Sequence, residues 1–271
     1  MTFAEAEAPP DPLSHVMALR DAEIPELVRT ALEQGRARLA FQPVVAAGPG
    51  HRIAFHEGLI RLLDDRDRTL PARHFLPGIE PTPLGRDIDR AALHLGFAAL
   101  RAEPRLRLSV NMSARSIGDA EWRATLAHGL ARSPGIGGRL IFEVSENSAM
   151  LLPELLVRFM QEMQPLGVCF ALDDFGGGLI SFRHLRGFLF DLVKIDGGYA
   201  RGIDGSADNQ VLCEALITVA RQFGMYAVAE GVERPEEAAL LTRLGADCLQ
   251  GYLYGRPVPA PEWRCPDRRG C

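Results

Sequence analysis

No run in this chain approaches the ~20 consecutive apolar residues that a membrane-spanning helix requires, so no segment of it is expected to cross a bilayer. The opening MTFAEAEAPPDPLSH has neither the basic flank nor the apolar centre of a signal peptide. Residues 1–21 read instead as a Pro/Ala/acidic leader or linker, and the protein is expected in the cytoplasm. Cysteines are few and odd in number, 5 in all, which argues against a closed disulfide framework. Cys169, Cys213 and Cys248 are scattered without zinc-ligand spacing, and no role is assigned to Cys265 and Cys271 in the tail, 263–271. An excess of positive charge is also missing. A net charge of -5 provides no overall field for a DNA or RNA polymer, so a phosphate ligand would need local arginines or metal ions. Repeats and low-complexity tracts are absent.

What is present is a 47% hydrophobic, 24% charged composition, the balance of a globular protein with a substantial core. Helical periodicity appears over 22–35, 86–102, 116–132, 148–165, 208–223 and 235–244, with a shorter stretch near 180–187. Between them lie short apolar runs at Leu39–Val45, Arg52–Leu63, Leu106–Val110, Leu140–Val144, Val168–Leu172, Leu189–Ile195, Met225–Ala229 and Asp247–Leu249. Continuously apolar strands alternating with helices indicate parallel β-structure buried on both faces. About eight strands in a chain near ~250 residues suit a (β/α)8 TIM-like barrel, with a doubly wound open sheet as the competing topology.

The strand ends favour the barrel. Nearly every run finishes in a polar or ionisable residue: Glu57, Asn111, Glu143, Asp173-Asp174, Lys194 with Asp196, Glu230 and Gln250. A parallel barrel brings those ends to one face, whereas an open sheet would string them along a line. Crowded carboxylates repel one another and are driven to protonate. An all-oxygen set, Glu57, Asn111, Glu143, Asp173 and Asp174, suits Mg²⁺ or Mn²⁺ rather than zinc. The adjacent aspartates can serve two ions, the arrangement that recurs in phosphoester hydrolysis. Lys194 is a candidate to orient water, and Glu230 is a candidate base or outer ligand. Arg61, on the same strand face as Glu57, is a candidate phosphate contact. Taken singly each residue has a plainer reading, such as a helix cap for Asp173-Asp174 or an exposed ion pair for Lys194 and Asp196.

In order along the chain stand Phe41-Gln42-Pro43-Val44, Glu57-Gly58-Leu59-Ile60-Arg61, Val110-Asn111-Met112-Ser113 and Phe142-Glu143-Val144-Ser145-Glu146. Asp173-Asp174-Phe175-Gly176, Val193-Lys194-Ile195-Asp196, Ala229-Glu230-Gly231-Val232-Glu233 and Gln250-Gly251-Tyr252 complete the series. This series resembles the EAL-domain family of cyclic di-GMP phosphodiesterases over residues 22–262. The resemblance implies a barrel whose first strand is antiparallel, commonly a homodimer, that hydrolyses cyclic di-GMP to linear pGpG. It implies two Mg²⁺ or Mn²⁺ ions at Glu57, Asn111, Glu143, Asp173, Asp174 and Glu230, and catalysis by Glu230, Lys194 and Asp173. Arg61, Leu59, Gln250 and Asp196 would contact substrate, and Glu146 would support the loop after Asp174. Sensory domains often precede such barrels, and the leader fits a linker to one.

Two departures stand out. Gly58 replaces the usual alanine of the name motif. After the aspartate pair, Gly177, Leu179 and Ile180 stand where the family carries Thr, Tyr and Ser, which removes hydroxyls and adds a glycine that is costly to order. The expected activity is therefore a working but slow or conditional hydrolysis. The alternative is a weak or inactive barrel acting as a cyclic di-GMP receptor.

Overall fold

The structure, a computed structural model, describes residues 12–178 and 182–261. Leu179, Ile180, Cys265 and Cys271 lie outside the described residues, as does most of the leader. The strands are β1 (Ala37–Ala46), β2 (Ile53–Leu63), β3 (Thr69–Pro71), β4 (Leu108–Asn111), β5 (Leu140–Ser145), β6 (Cys169–Phe175), β7 (Leu192–Ile195), β8 (Tyr226–Ala229) and β9 (Cys248–Gln250). The helices are α1 (Pro12–Glu33), α2 (Leu76–Ile79), α3 (Pro83–Ala102), α4 (Ala120–Ala131), α5 (Glu146–Leu151) and α6 (Pro153–Met163). They continue with α7 (Phe182–Leu185), α8 (Gly197–Ala200), α9 (Ala207–Gln222) and α10 (Pro235–Leu244).

The sheet closes on itself. Its order is β1-β9-β8-β7-β6-β5-β4-β2, and β1 also pairs with β2. From β2 through β4 to β9 the barrel neighbours run parallel, while β1 is antiparallel to both β2 and β9. The chain is thus a (β/α)8-like barrel with an inverted first strand. The short β3 forms a hairpin on the far part of β2 and stands outside the closed ring. It falls in a polar stretch that carries no strand signal.

Three helices differ from their sequence periods. The 148–165 period is divided by Pro153, which starts α6 because its ring cannot continue α5. The 116–132 period divides at Asp119, whose carboxylate accepts the Trp122 N–H and caps α4. The first helix begins at Pro12 and runs through Pro25, well before residue 22.

Two apolar layers hold this arrangement. Outside the sheet, a continuous core packs helices on strands; Trp122, Phe142, Phe159 and Phe170 meet there with ring centroids 5.6–5.9 Å apart. Inside the barrel, Val44, Phe55, Ile141, Ala171, Leu192 and Val228 form a separate buried plug. Side chains on a strand alternate between faces, so the residue two positions beyond each plug member also points inward. Those residues are Glu57, Glu143, Asp173, Lys194 and Glu230. On the inverted β1 the count runs backwards, from Val44 to Gln42. One end of the barrel is therefore closed by hydrocarbon and the other is lined by ionisable groups.

Candidate active site

The ionisable groups converge on Lys194. This side chain is 1% exposed, and its Nζ lies 2.6 Å from Glu230 Oε1, 2.8 Å from Glu143 Oε2, 3.2 Å from Glu57 Oε2 and 3.4 Å from Asp173 Oδ1. Asn111 Nδ2 donates to Glu57 Oε1 at 3.0 Å, and Gln250 Nε2 donates to Glu57 Oε2 at 2.6 Å. Asn111 and Glu143 are register partners on adjacent strands, as are Gln42 and Glu57. Every strand of the closed ring thus contributes to one cluster, β1 through Gln42 and β8 through Glu230 just past its end.

A single ammonium faces several carboxylates, and the protonation equilibria show the imbalance. Burial, followed by the charge of Glu57, pushes Glu143 well above the ordinary carboxylate range. Burial also raises Asp173, carries Glu230 to about 8, and together with Asp173 carries Asp174 to about 6. Glu57 alone is lowered. Burial opposes its charge, but Lys194 and the hydrogen bonds from Gln250 and Asn111 outweigh that cost. Burial likewise opposes the charge of Lys194, and its surrounding carboxylates hold it well above the normal lysine value. A buried charge with too little compensation is expensive, so the cluster as it stands calls for more positive charge.

The donor set fits divalent metal. Glu143 Oε1 and Gln250 Oε1 are buried and have no hydrogen-bond partner, and Asp173 Oδ1 has only the long contact to Lys194; the ligand atoms available are oxygens of the kind Mg²⁺ and Mn²⁺ prefer. Among the described residues, no group of three or more His, Cys, Asp or Glu side chains stands in ready-made metal-cage geometry. The carboxylates close on the lysine instead.

The cluster opens into a cleft of about 310 Å³ whose lining includes Gln42, Glu57, Leu59, Arg201, Glu233 and Tyr252. Leu59 thus reaches the cleft wall. Arg61 stands beyond it, half-buried, with its Nη1 donating to Ile60 O at 2.9 Å; burial lowers its basicity and the charge of Glu57 restores part of it. Asp174, open to solvent along part of its surface while its carboxyl is partly desolvated beside Asp173, takes a left-handed backbone with φ 57°. Asp196 Oδ1 accepts Gly198 N–H at 2.6 Å and starts the short α8, so one of its oxygens serves the backbone. Glu146 is buried and its Oε1 accepts Gly176 N–H at 2.9 Å, while Tyr199 donates its hydroxyl to Gly176 O at 2.6 Å. Gly178 passes so close to Glu146 Oε2 that a Cβ there would collide with it.

The residue sets differ in one respect. Gln42, buried on β1, accepts from Gln250 Nε2 at 3.2 Å and donates to Gly255 O at 3.1 Å, and it lines the cleft without having been among the candidate residues. A glutamine within the apolar run Leu39–Val45 was the available signal. Arg201 and Glu233, 3.6 Å apart at the mouth, follow strands whose ends were recognised but lie a few residues further on.

A closed barrel, parallel except for β1, thus carries an acidic, lysine-centred mouth at the face where barrel enzymes build their sites. The chain matches the EAL domain family over residues 26–257 and belongs to it. It is 29% identical over 251 residues to the cyclic di-GMP phosphodiesterase NbdA of Pseudomonas aeruginosa, covering 90% of this chain and 32% of NbdA. It is 32% identical over 236 residues to the cyclic di-GMP phosphodiesterase PdeF of Escherichia coli, covering 86% of this chain and 31% of PdeF. The chain therefore spans about a third of the length of these relatives. Among solved structures, the PaMucR phosphodiesterase in complex with c-di-GMP superposes with a TM-score of 0.76 at 29% identity, covering 88% of this chain and 98% of that one. The FimX EAL domain from Pseudomonas aeruginosa bound to c-di-GMP gives a TM-score of 0.78 at 28% identity, covering 88% and 97%.

Proposed function

We propose that this chain hydrolyses one phosphodiester of cyclic di-GMP to give linear pGpG. The observation that carries the reading is the convergence of Glu57, Asn111, Glu143, Asp173 and Glu230 on Lys194 at the mouth of the barrel, together with relatives named for this activity. Two divalent ions, Mg²⁺ or Mn²⁺, would be held by Glu57, Asn111, Glu143, Asp173, Asp174 and Glu230. When bound, they supply Lewis acidity toward the phosphoryl oxygens and make water a stronger nucleophile.

The protein's own groups divide the remaining work. Glu230, lining the cleft and 2.6 Å from Lys194, is assigned as the base that takes a proton from the attacking water. Lys194 keeps its charge and holds Glu230, Glu143 and Glu57 in one arrangement while the negative charge of the pentavalent transition state grows. Gln250 and Asn111 hold Glu57 by both oxygens. Arg61 is assigned to a substrate phosphate, Leu59 and Gln250 to the cleft wall beneath the nucleotide, and Asp196 to the polar edge near Asp174. A homodimer and a sensory partner belong to the same reading, by analogy with the family.

A second reading, a receptor that binds cyclic di-GMP without cutting it, draws on the loop after Asp174, where Gly177, Leu179 and Ile180 stand in place of the family's Thr, Tyr and Ser. Incubation with cyclic di-GMP in Mg²⁺, Mn²⁺ or EDTA, with products resolved by chromatography, separates the two. Metal-dependent pGpG is expected. Tight binding without product in either metal would establish the receptor.

A further inference from the structure

The turn that follows Asn111 and the loop that follows Asp174 are joined by a buried polar chain outside the cleft. On α3, Asp89 is buried, and its Oδ2 accepts the Ser113 N–H at 2.8 Å and the Ser116 hydroxyl at 2.6 Å. Ser113 stands two residues beyond Asn111. The next residue, Ala114, is fully buried and donates its N–H to Ser148 Oγ at 2.8 Å, while the Ser148 hydroxyl donates to Ser113 Oγ at 3.4 Å. The Ser148 N–H in turn reaches Ser145 Oγ at 3.2 Å, the cap of α5. That helix begins at Glu146, which holds the Gly176 N–H at 2.9 Å.

The topology explains why such a bridge is needed. β4 and β6 are not neighbours, because β5 lies between them. Their ends carry Asn111 and Asp173, which no ladder hydrogen bond ties together. Groups that serve one ion must be held to within ~0.5 Å by their supporting shell. The bridge passes over the end of β5 through α5 and meets that requirement. A hydroxyl suits its centre, because it can accept from Ala114 and donate to Ser113 at once. Alanine at 148 could do neither.

We propose that Ser148 is a positioning residue that couples the Asn111 turn to the Glu146-held loop, so that oxygens from β4 and β6 are presented together to a divalent cation. This rests on the metal-dependent reading above and names a residue that touches neither cleft nor substrate.

The test compares the full chain with Ser148→Ala by calorimetric titration with Mn²⁺ and by amide hydrogen exchange. Mn²⁺ binding is expected to weaken roughly 10-fold or more, as when other outer-shell partners are removed. Exchange is expected to speed up at Gly176 as well as at Ala114, with α9 unchanged. Wild-type Mn²⁺ affinity, with faster exchange confined to 113–118, would reduce Ser148 to an ordinary turn contact and overturn the proposal. Asp89→Asn, which keeps an oxygen acceptor for Ser113 and Ser116, should bind Mn²⁺ as the unaltered protein does. Asp89→Ala should bind as weakly as Ser148→Ala, and this pair decides the matter if Ser148→Ala does not fold. If the unaltered protein binds no Mn²⁺, the metal reading fails, while exchange at Gly176 still tests the coupling.

Discussion

The ammonium of Lys194 lies 2.6 Å from the carboxylate of Glu230, in a site where the lysine side chain is 1% exposed. Neither partner would be stable there alone. The lysine keeps its charge because carboxylates surround it, and Glu230 keeps a raised proton affinity because burial outweighs the lysine's pull.

Lys194→Met is therefore expected to abolish hydrolysis and to destabilise the fold. Breaking a buried ion cluster by removing one partner typically costs about 3–5 kcal/mol. The loss should be largest at about pH 8 and shrink toward about pH 5, because Glu230, raised to about 8, then carries a proton and needs less compensation. Urea denaturation at both pH values measures this.

Asp89 provides a pH dependence distant from the cleft. Burial raises its carboxyl to about 7, against hydrogen bonds from Ser116 and Ser113, with Glu80 adding a like charge. A folded-state value above the unfolded one means that its contribution is fully present below about pH 4 and is lost as pH rises through about 7. Asp89→Asn should accordingly be more stable than the unaltered protein at about pH 8, with the gap closing toward about pH 5. Thermal melts at the two pH values check the sign.

Gly178→Ala should impair activity more than its small size suggests. The added methyl would collide with the Glu146 carboxylate, which would have to release Gly176. Melting temperature should change little while kcat falls, and steady-state kinetics beside a thermal melt separates the two effects.

Arg61→Ala is expected to act on substrate binding. Loss of a charge-assisted contact worth roughly 1.5–3 kcal/mol should weaken cyclic di-GMP affinity by about 10- to 100-fold, leaving Mn²⁺ affinity unchanged. Titration with each ligand separately distinguishes this from general damage to the site.

The barrel and most of its mouth were legible because continuously apolar runs alternate with helices and end in polar residues; the structure adds that Ile141 and Glu143, or Leu192 and Lys194, are plug and site residue on one inward face. Gln42 escaped because β1 is antiparallel, so its site residue lies within the strand and not at its C-terminal end. Asp89 escaped for a different reason. An aspartate in an amphipathic helix reads as a solvated charge, and only the arrival of Ser113 and Ser116 from the turn after β4 makes it a buried acceptor. The split of 148–165 at Pro153 was available from proline chemistry, but the apolar period across it masked the break.

The most direct test of the account measures pGpG formation from cyclic di-GMP in Mn²⁺ by the unaltered chain, Glu57→Ala and Asp173→Asn. Metal-dependent product is expected from the first and none above background from either variant, with both variants still folded. Undiminished hydrolysis by Asp173→Asn or Glu57→Ala would contradict it, because the chemistry would then lie outside the cluster around Lys194.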